Sequence, residues 1–293
     1  MANATEPRVD ARTGTATTGH EWDGIAELNT PLPRWWLWTF YLTIVWSIGY
    51  WIVYPAWPGV TGFTQGAFGW HARSAVVDDL KELQAIRGPG EAKLAAAKLD
   101  EIEKNPELLA FARASGGAAF ANNCAPCHGA GAQGAVGYPN LNDDDWLWGG
   151  SLDDIQQTIT HGARWDADKA TRSSLMPAFG RDGILKADEI ANVAQYVRSL
   201  SGLPNETNAN LAKGKELFAT NCAVCHGDDG KGKQEVGAPN LTDKIWLYGS
   251  DTASIVNRIN VGGGGQMPAW GGRLDPTTIK ALTVYVHSLG GGK

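Results

Sequence analysis

The chain has 293 residues, a formal net charge of -6 and a pI near 5.5. Nucleic-acid-binding proteins normally need a basic face to meet phosphate, so we expect no nucleic acid partner. A single core rarely grows to this length, which favours two or three units and makes an internal repeat worth seeking.

Residues 1–34 are polar and rich in Ala, Thr, Gly and charged side chains, with two prolines near their end. Such a composition buries little apolar surface, so we expect a short, mostly flexible tail.

Residues 35–57 contain no charged side chain and would form a helix roughly 35 Å long, enough to cross a bilayer. Trp and Tyr lie at both ends, as in the aromatic belts of membrane helices. A cleaved signal peptide fits less well, because the run begins late and lacks a site of small residues. A buried soluble helix is the remaining alternative. Arg34 and Arg73 flank the two ends, so charge does not fix the orientation.

Residues 58–113 read as a connector of two or three helices, broken at Gly88-Pro89-Gly90 and at Pro106. It is either a solvated spacer or, through its apolar stripe, a surface for docking onto a partner subunit.

Beyond residue 115 the chain repeats itself: GGAAFANNCAPCHG at 116–129 is answered by GKELFATNCAVCHG at 214–227. The match continues through Pro-Asn-Leu at 139 and 239, the aromatic pairs at 146 and 246, Met-Pro-Ala at 176 and 267, and a closing Tyr-Val-x-Ser-Leu. An ordered series of matches indicates two copies of one domain, 114–203 and 204–293.

Each copy contains Cys-x-x-Cys-His, the attachment signature of c-type haem, in which two thiols bond to the haem vinyl groups and the imidazole binds iron. The predicted thioether positions are Cys124, Cys127, Cys222 and Cys225, with His128 and His226 as iron ligands. A zinc knuckle would need further ligands, and a thioredoxin-like pair would need no histidine here. Two disulfides are a weaker reading still.

Apart from the initiator, the only methionines are Met176 and Met267, which occupy matching places in the repeat. We predict that both are thioether ligands of haem iron, leaving no vacant coordination position. Local chain closure pairs Met176 with the haem on Cys124 and Met267 with the haem on Cys222, although sequence does not exclude exchange between the copies.

Other candidates have weaker support. His161 is replaced by Val261 in the second copy, so we expect a polar contact rather than iron ligation. We expect Trp146, Trp148, Trp246 and Tyr248 to pack on haem or to hydrogen-bond to it rather than to relay electrons. The acidic residues at 143–145 and 153–154, a cluster in the first copy only, form either a solvated surface or a patch that steers a basic donor.

The entry ELNTPLPRWW at Glu27 to Trp36, the aromatic segment, the connector and the two CxxCH copies together resemble the dihaem subunit III of cbb3-type cytochrome c oxidases. The resemblance implies a mainly α fold: one N-terminal transmembrane helix followed by two tandem class I cytochrome c domains with two covalently bound haem c groups. It also implies three protein partners: a catalytic haem–copper subunit, a monohaem cytochrome c subunit and a donor cytochrome c. All eight haem-binding positions of the family are present.

The family's topology implies a single pass through the lipid of the bacterial inner membrane, with residues 1–34 cytoplasmic and the haem domains periplasmic. The expected function is electron transfer within a terminal oxidase working at low oxygen, without catalysis by this chain itself. A dihaem peroxidase and a free-standing anchored cytochrome serving another dehydrogenase or reductase are the alternatives.

Overall fold

A computed structural model describes residues 3–4 and 7–290, in two compact units that divide between Ala85 and Ile86. In the first unit, β1 (Asn3–Ala4), β2 (Thr17–Trp22) and β3 (Ile25–Leu28) form an antiparallel sheet in that order. Asp23 and Gly24 join β2 to β3 with φ of 49° and 83°. Both values suit a tight hairpin turn, for which Asp-Gly is a strong signal. The expectation of a mostly flexible tail was therefore wrong for these strands.

Helix α1 (Arg34–Val53) has no buried residue and is the one described helix long and apolar enough to cross a membrane. It ends four residues before the predicted limit at Trp57. The cause is Pro55, which disfavours helical backbone in the preceding residue. Tyr54 is accordingly extended, with φ of -115° and ψ of 156°.

The connector forms α2 (Ala72–Ala96), α3 (Leu99–Lys104) and the start of α4 (Pro106–Asn123). The break predicted at Gly88-Pro89-Gly90 was wrong, because α2 continues through it. A side chain at Gly90 would meet the ring of Phe111 in α4, so this glycine allows close packing of the two helices. The break at Pro106 is confirmed: Asn105 caps the new helix by accepting hydrogen bonds from two backbone amides.

The first copy continues with α5 (Ala125–His128), α6 (Leu152–His161) and α7 (Ala187–Leu200). The second copy has α8 (Leu211–Asn221), α9 (Ala223–His226), a 3-10 turn at Gln234–Val236, α10 (Thr252–Val261) and α11 (Pro276–His287). Helix α4 crosses the predicted boundary at 113/114, so the connector ends inside the opening helix of the first copy.

The closing helices of the two copies are exchanged. Helix α7 of the first copy packs on α8 of the second, and α11 packs on α4. At the crossings, side chains at Gly116 and Gly214 would lie 2.3 Å from the carbonyls of Ala281 and Asn192. Each compact core therefore combines both copies: one contains Phe218 with Val193 and Val197, the other Phe120 with Leu282 and Val286.

Chain connectivity explains this exchange. Only residues 201–210 separate α7 from α8, so these two helices meet at the lowest cost in loop entropy. Helix α11 then covers α4 and also packs on the connector through Ala281 and Val284. The Lys280 ammonium fixes that contact by donating hydrogen bonds to the carbonyls of Leu94, Ala95 and Ala97, at 2.7–3.2 Å.

Candidate haem sites

Each Cys-x-x-Cys-His motif forms one short helical turn directly after a longer helix. Cys124 ends α4, and its carbonyl accepts a hydrogen bond of 2.9 Å from the His128 amide. Cys222 and His226 repeat this geometry after α8. In each copy, the turn brings both cysteines and the histidine to the wall of one cavity. The cavity of the first motif is named here the Cys124 cavity, and that of the second motif the Cys222 cavity.

Both motif histidines have one ring nitrogen fixed by the backbone. Nδ1 of His128 lies 2.9 Å from the Pro139 carbonyl, and Nδ1 of His226 lies 3.1 Å from the Pro239 carbonyl. A carbonyl can only accept, so Nδ1 carries the proton and Nε2 keeps a free lone pair for a metal. Burial lowers the pKa of both histidines, which keeps the imidazoles neutral.

The methionines lie in the opposite cavities from those expected. Met176 lines the Cys222 cavity with His226, and Met267 lines the Cys124 cavity with His128. The expectation of local pairing was wrong, because the loop entropy argument was applied to the wrong elements. Met176 leads into α7, and α7 follows its short linker to α8 of the second copy.

Backbone hydrogen bonds hold the exchanged methionine loops. Met267 and Ala163 exchange two such bonds, at 2.9 and 3.0 Å, and the Gly263 amide donates to the Met176 carbonyl at 2.7 Å. Farther along, the amides of Phe179 and Trp270 donate to carbonyls near the ends of α10 and α6. Each methionine loop is thus paired with the end of the helix from the other copy.

Two glycines make this close approach possible. Gly162 and Gly262 have φ of 71° and 58°, the left-handed region that favours glycine. An added carbon atom would lie 2.3 Å from the Met267 carbonyl at Gly162 and 2.4 Å from the Pro177 carbonyl at Gly262. Both copies need a glycine at this matching position, so the two contacts between helix end and methionine loop are equivalent.

The donor set of each cavity fits a haem c group. The cavities measure about 220 Å³ at Cys124 and about 390 Å³ at Cys222, and each has a histidine and a methionine in its lining. Their apolar walls include the predicted aromatic residues Trp146 and Trp148 in the Cys124 cavity, Trp246 in the Cys222 cavity, and Tyr248 in both. An apolar wall with one imidazole donor and one thioether donor suits a large flat macrocycle that contains iron.

The competing interpretations of the cysteines find less support. Within the described part of the chain, no three or more His, Cys, Asp or Glu side chains gather as a metal site, so a zinc knuckle lacks its further ligands. Burial raises the pKa of Cys124 and of Cys222 to about 11, whereas a redox-active thiol needs a lowered pKa. All four cysteines are free of disulfides.

The two weaker sequence candidates differ in how they lie relative to the cavities. His161 lines neither cavity; its Nδ1 lies 3.0 Å from the Asp168 carboxylate at the end of α6, and this contact lowers the pKa of Asp168. The acidic residues divide: Asp154 pairs with Arg172 at 3.2 Å, while Asp143 and Asp145 line the Cys222 cavity. The expectation of an acidic patch in the first copy only was too narrow: burial raises the pKa of Asp143 and Asp145, and repulsion from Asp243 of the second copy raises both further.

Sequence reasoning missed two arginines. Arg164 lines both cavities and Arg258 lines the Cys222 cavity, with its guanidinium 4.0 Å from the centre of the Tyr248 ring. Neither arginine has a counterpart in the other copy, where Gly264 and Thr158 stand instead. The repeat comparison directed attention to shared residues, and this difference between the copies was the available signal.

Three family models match successive parts of the chain. The N-terminal domain of cytochrome oxidase-cbb3, FixP, matches residues 14–61; cytochrome c matches 114–201; and cytochrome c oxidase, cbb3-type, subunit III matches 209–286. The last two confirm two cytochrome c domains in a mainly helical chain.

Whole-chain relatives agree with these matches. The cbb3-type cytochrome c oxidase subunit FixP of Bradyrhizobium sp. (strain ORS 278) is 63% identical over 100% of both chains. FixP of Azorhizobium caulinodans is 63% identical over 97% of this chain and 96% of its own, and subunit CcoP of Cereibacter sphaeroides is 50% identical over 94% and 95%. With a family model for each region and relatives matching along its full length, this chain belongs to the FixP/CcoP family, subunit III of cbb3-type cytochrome c oxidases.

Proposed function

We propose that this chain is a membrane-anchored dihaem c-type cytochrome that accepts electrons from donor cytochromes c and passes them to the catalytic subunit of a cbb3-type oxidase. The observation that carries the proposal is the composition of each cavity: two cysteines, a histidine with its Nδ1 bound to a proline carbonyl, and a methionine.

One haem would be held by Cys124, Cys127, His128 and Met267, and the other by Cys222, Cys225, His226 and Met176. A bound haem c would supply one-electron redox chemistry. The proline carbonyls fix the orientation of the imidazoles, and each methionine would supply the second iron ligand of its site. With both ligands supplied by the chain, no iron position would be left for a substrate, which suits a carrier rather than a catalyst.

The arrangement of the cavities suits passage of electrons within the chain. Tyr138, Leu147, Leu247 and Tyr248 each line both cavities, so the two cavities share a wall and haems held in them would be neighbours. The exchanged methionine loops make the two sites mechanically dependent, because neither cavity is complete without residues of the other copy.

Anchoring is assigned to α1, which has no buried residue within the chain and whose apolar surface suits contact with lipid. We place residues before α1 in the cytoplasm and the haem domains in the periplasm of a bacterial inner membrane. The catalytic haem–copper subunit and a monohaem cytochrome c subunit are the proposed permanent partners, and a donor cytochrome c the transient one.

Haem counting tests the proposal directly. We expect the denatured, purified chain to carry the mass of two haem groups and to stain for covalent haem. Replacing Cys124 and Cys127 by Ala should remove one group, and the same change at Cys222 and Cys225 should remove the other. Bound zinc or fewer than two porphyrins in the unaltered chain would overturn the assignment.

Gentle solubilisation of the membrane tests the oxidase role separately. We expect the chain to co-purify with a haem–copper subunit and a second, monohaem cytochrome. Recovery with a dehydrogenase or reductase in their place would identify a free-standing electron carrier.

A further inference from the structure

The Cys124 and Cys222 cavities share one wall, and its charged residues have no role in the proposed iron ligation. Eight residues line both cavities, and none of the four cysteines is among them. Two of the eight carry charge, Asp145 and Arg164. Among the described residues, Arg164 is the only Arg or Lys that lines the Cys124 cavity, while Arg258 is a second cation in the Cys222 cavity.

The Arg164 guanidinium contacts backbone carbonyls from the linings of both cavities. Its Nε donates a hydrogen bond of 2.8 Å to the Gly265 carbonyl, which belongs to the lining of the Cys124 cavity. Its Nη1 donates a hydrogen bond of 3.2 Å to the Ser174 carbonyl on the Cys222 side. A carbon atom added at Gly264 would be 2.8 Å from Nη2, and the Trp148 ring centre is 5.4 Å from the guanidinium carbon.

Among the described residues, no protein anion forms an ion pair with this cation. No described carboxylate lies within ion-pair distance of Arg164, and no described atom accepts a hydrogen bond from its Nη2. Burial lowers the pKa of Arg164, and the Arg258 cation lowers it further. A half-buried, unpaired guanidinium is unfavourable, so an anionic ligand at this place would stabilise it.

The backbone at Arg164 supports a functional role as well. Its φ of 55° lies in the left-handed region, which costs a non-glycine residue energy. Hydrogen bonds from the Arg164 amide to the Arg172 carbonyl at 2.6 Å and from the Arg172 amide to the Gly162 carbonyl at 3.4 Å hold this conformation. Strained residues of this kind persist where the surrounding structure requires them, and they are common at ligand-binding sites.

A bound haem would supply such an anion. Its two propionates lie on the edge of the macrocycle away from the vinyl groups that the cysteines capture. Since no cysteine belongs to the shared wall, that wall is available to the propionate edges. A guanidinium presents a planar fork of donors to carboxylates and can serve two of them at once.

We propose that Arg164 binds a propionate of each haem, so that one guanidinium joins the two cofactors of this chain. The inference rests on the proposed function, since it needs two haems. A cation shared in this way favours the ferrous state of both irons, because the ferrous haem carries one positive charge fewer. Arg164 thereby sets both reduction potentials together, although only one copy of the repeat contains it.

The test uses the full-length, detergent-solubilised chain in a Met176→His background. The replacement ligand lowers the potential of one haem, so that the two midpoints can be followed separately. Arg164→Gln should then lower both reduction equilibrium constants about tenfold, which is about 59 mV for each one-electron midpoint. The matched control is Arg258→Gln, which removes a cation that lines the Cys222 cavity alone and should lower only one midpoint by a comparable amount.

A shift of only one midpoint, or of neither, in Arg164→Gln with two haems attached would overturn the proposal. Should that variant lose haem, Arg164→Lys keeps the charge without the fork, and a smaller fall of both midpoints is expected. A change confined to one haem in Arg164→Lys would likewise overturn it. Failure of the proposed function is distinguishable, because it shows as fewer than two porphyrins by mass before any titration.

Discussion

The two haem cavities have the same ligand plan but different surroundings. Each combines a histidine of one copy with a methionine of the other, and each fixes the imidazole through a proline carbonyl, at 2.9 and 3.1 Å. The Cys124 cavity has one arginine and one aspartate, and the larger Cys222 cavity has two of each. The repeat thus determines what can bind iron, whereas residues without a repeat partner determine the local charge. Two sites with identical ligands can differ in potential only through such surroundings.

Removal of a methionine should change the haem potential more than any other of the proposed substitutions. It also tests whether each methionine serves the cavity of the other copy. In a Cys124→Ala, Cys127→Ala background, which keeps only the haem on Cys222, Met176→Ala should open the iron to carbon monoxide and lower its potential strongly. Axial ligands span about 0.8 V, so this shift should exceed the one expected from loss of a nearby arginine. Met267→Ala is the matched control and should leave the carbon monoxide difference spectrum unchanged. The reverse result would restore pairing within each copy.

The helix crossings test whether both exchanged pairs are equally tight. Gly116→Ala and Gly214→Ala each place a carbon atom 2.3 Å from a carbonyl oxygen of the facing helix, so we expect losses of about 1–3 kcal/mol in the free energy of unfolding. Denaturant titration measures the change. Gly117→Ala is the control, because the added carbon atom would lie 3.1 Å from the nearest atom of the Tyr285 ring. A loss of stability as large as that of Gly116→Ala would argue against the crossing geometry.

Asp145 is a charge that only one copy of the repeat supplies, since Ile245 stands at the matching position of the second copy. Its titration therefore tests how residues without a repeat partner affect stability. Burial, with repulsion from Asp243 and Asp143, raises the pKa of Asp145 to about 6. Because the folded state favours the protonated form, the contribution of this group to stability is complete below about pH 4 and is lost as the pH rises through about 6.

Asp145→Asn should therefore raise the free energy of unfolding at pH 7 by about 1 kcal/mol, after allowance for partial exposure to solvent, and should give no gain at pH 4. Denaturation curves at the two pH values measure this. The exposed neighbour Asp144 provides the control variant, Asp144→Asn. An equal gain at both pH values would show that the benefit does not come from titration.

A cut in the linker between the two copies should have the smallest effect: the two fragments should stay associated. A protease site inserted after Thr207 separates the two sequence copies within the exposed part of the linker. Because α7 packs on α8 and α11 packs on α4, we expect the two fragments to co-elute in size-exclusion chromatography with both haems retained. Two copies that each folded on themselves would separate, which would contradict the exchange.

Much of the fold and the donor residues of each candidate site could be predicted from the sequence, whereas the methionine pairing and the two arginines could not. The doubled Cys-x-x-Cys-His motif, the matched methionines and the uncharged aromatic segment depend on local spacing, and that spacing is printed in the chain. The hairpin at β2 and β3 was also predictable, because Asp23-Gly24 is a turn signal that the polar composition obscured. The continuation of α2 through Pro89 was not, since it depends on how closely Gly90 approaches Phe111.

The sequence by itself determined the candidate donors: two Cys-x-x-Cys-His motifs and two matched methionines. Only the tertiary structure decided which methionine shares a cavity with which histidine and which arginine lines both cavities. Met176 is about equally far in sequence from Cys124 and Cys222, so chain entropy hardly distinguishes its two pairings, whereas for Met267 chain entropy favours the nearer Cys222. The short linker favours the packing of α7 on α8, but the packing of α11 on α4 joins distant parts of the chain and depends on the whole fold.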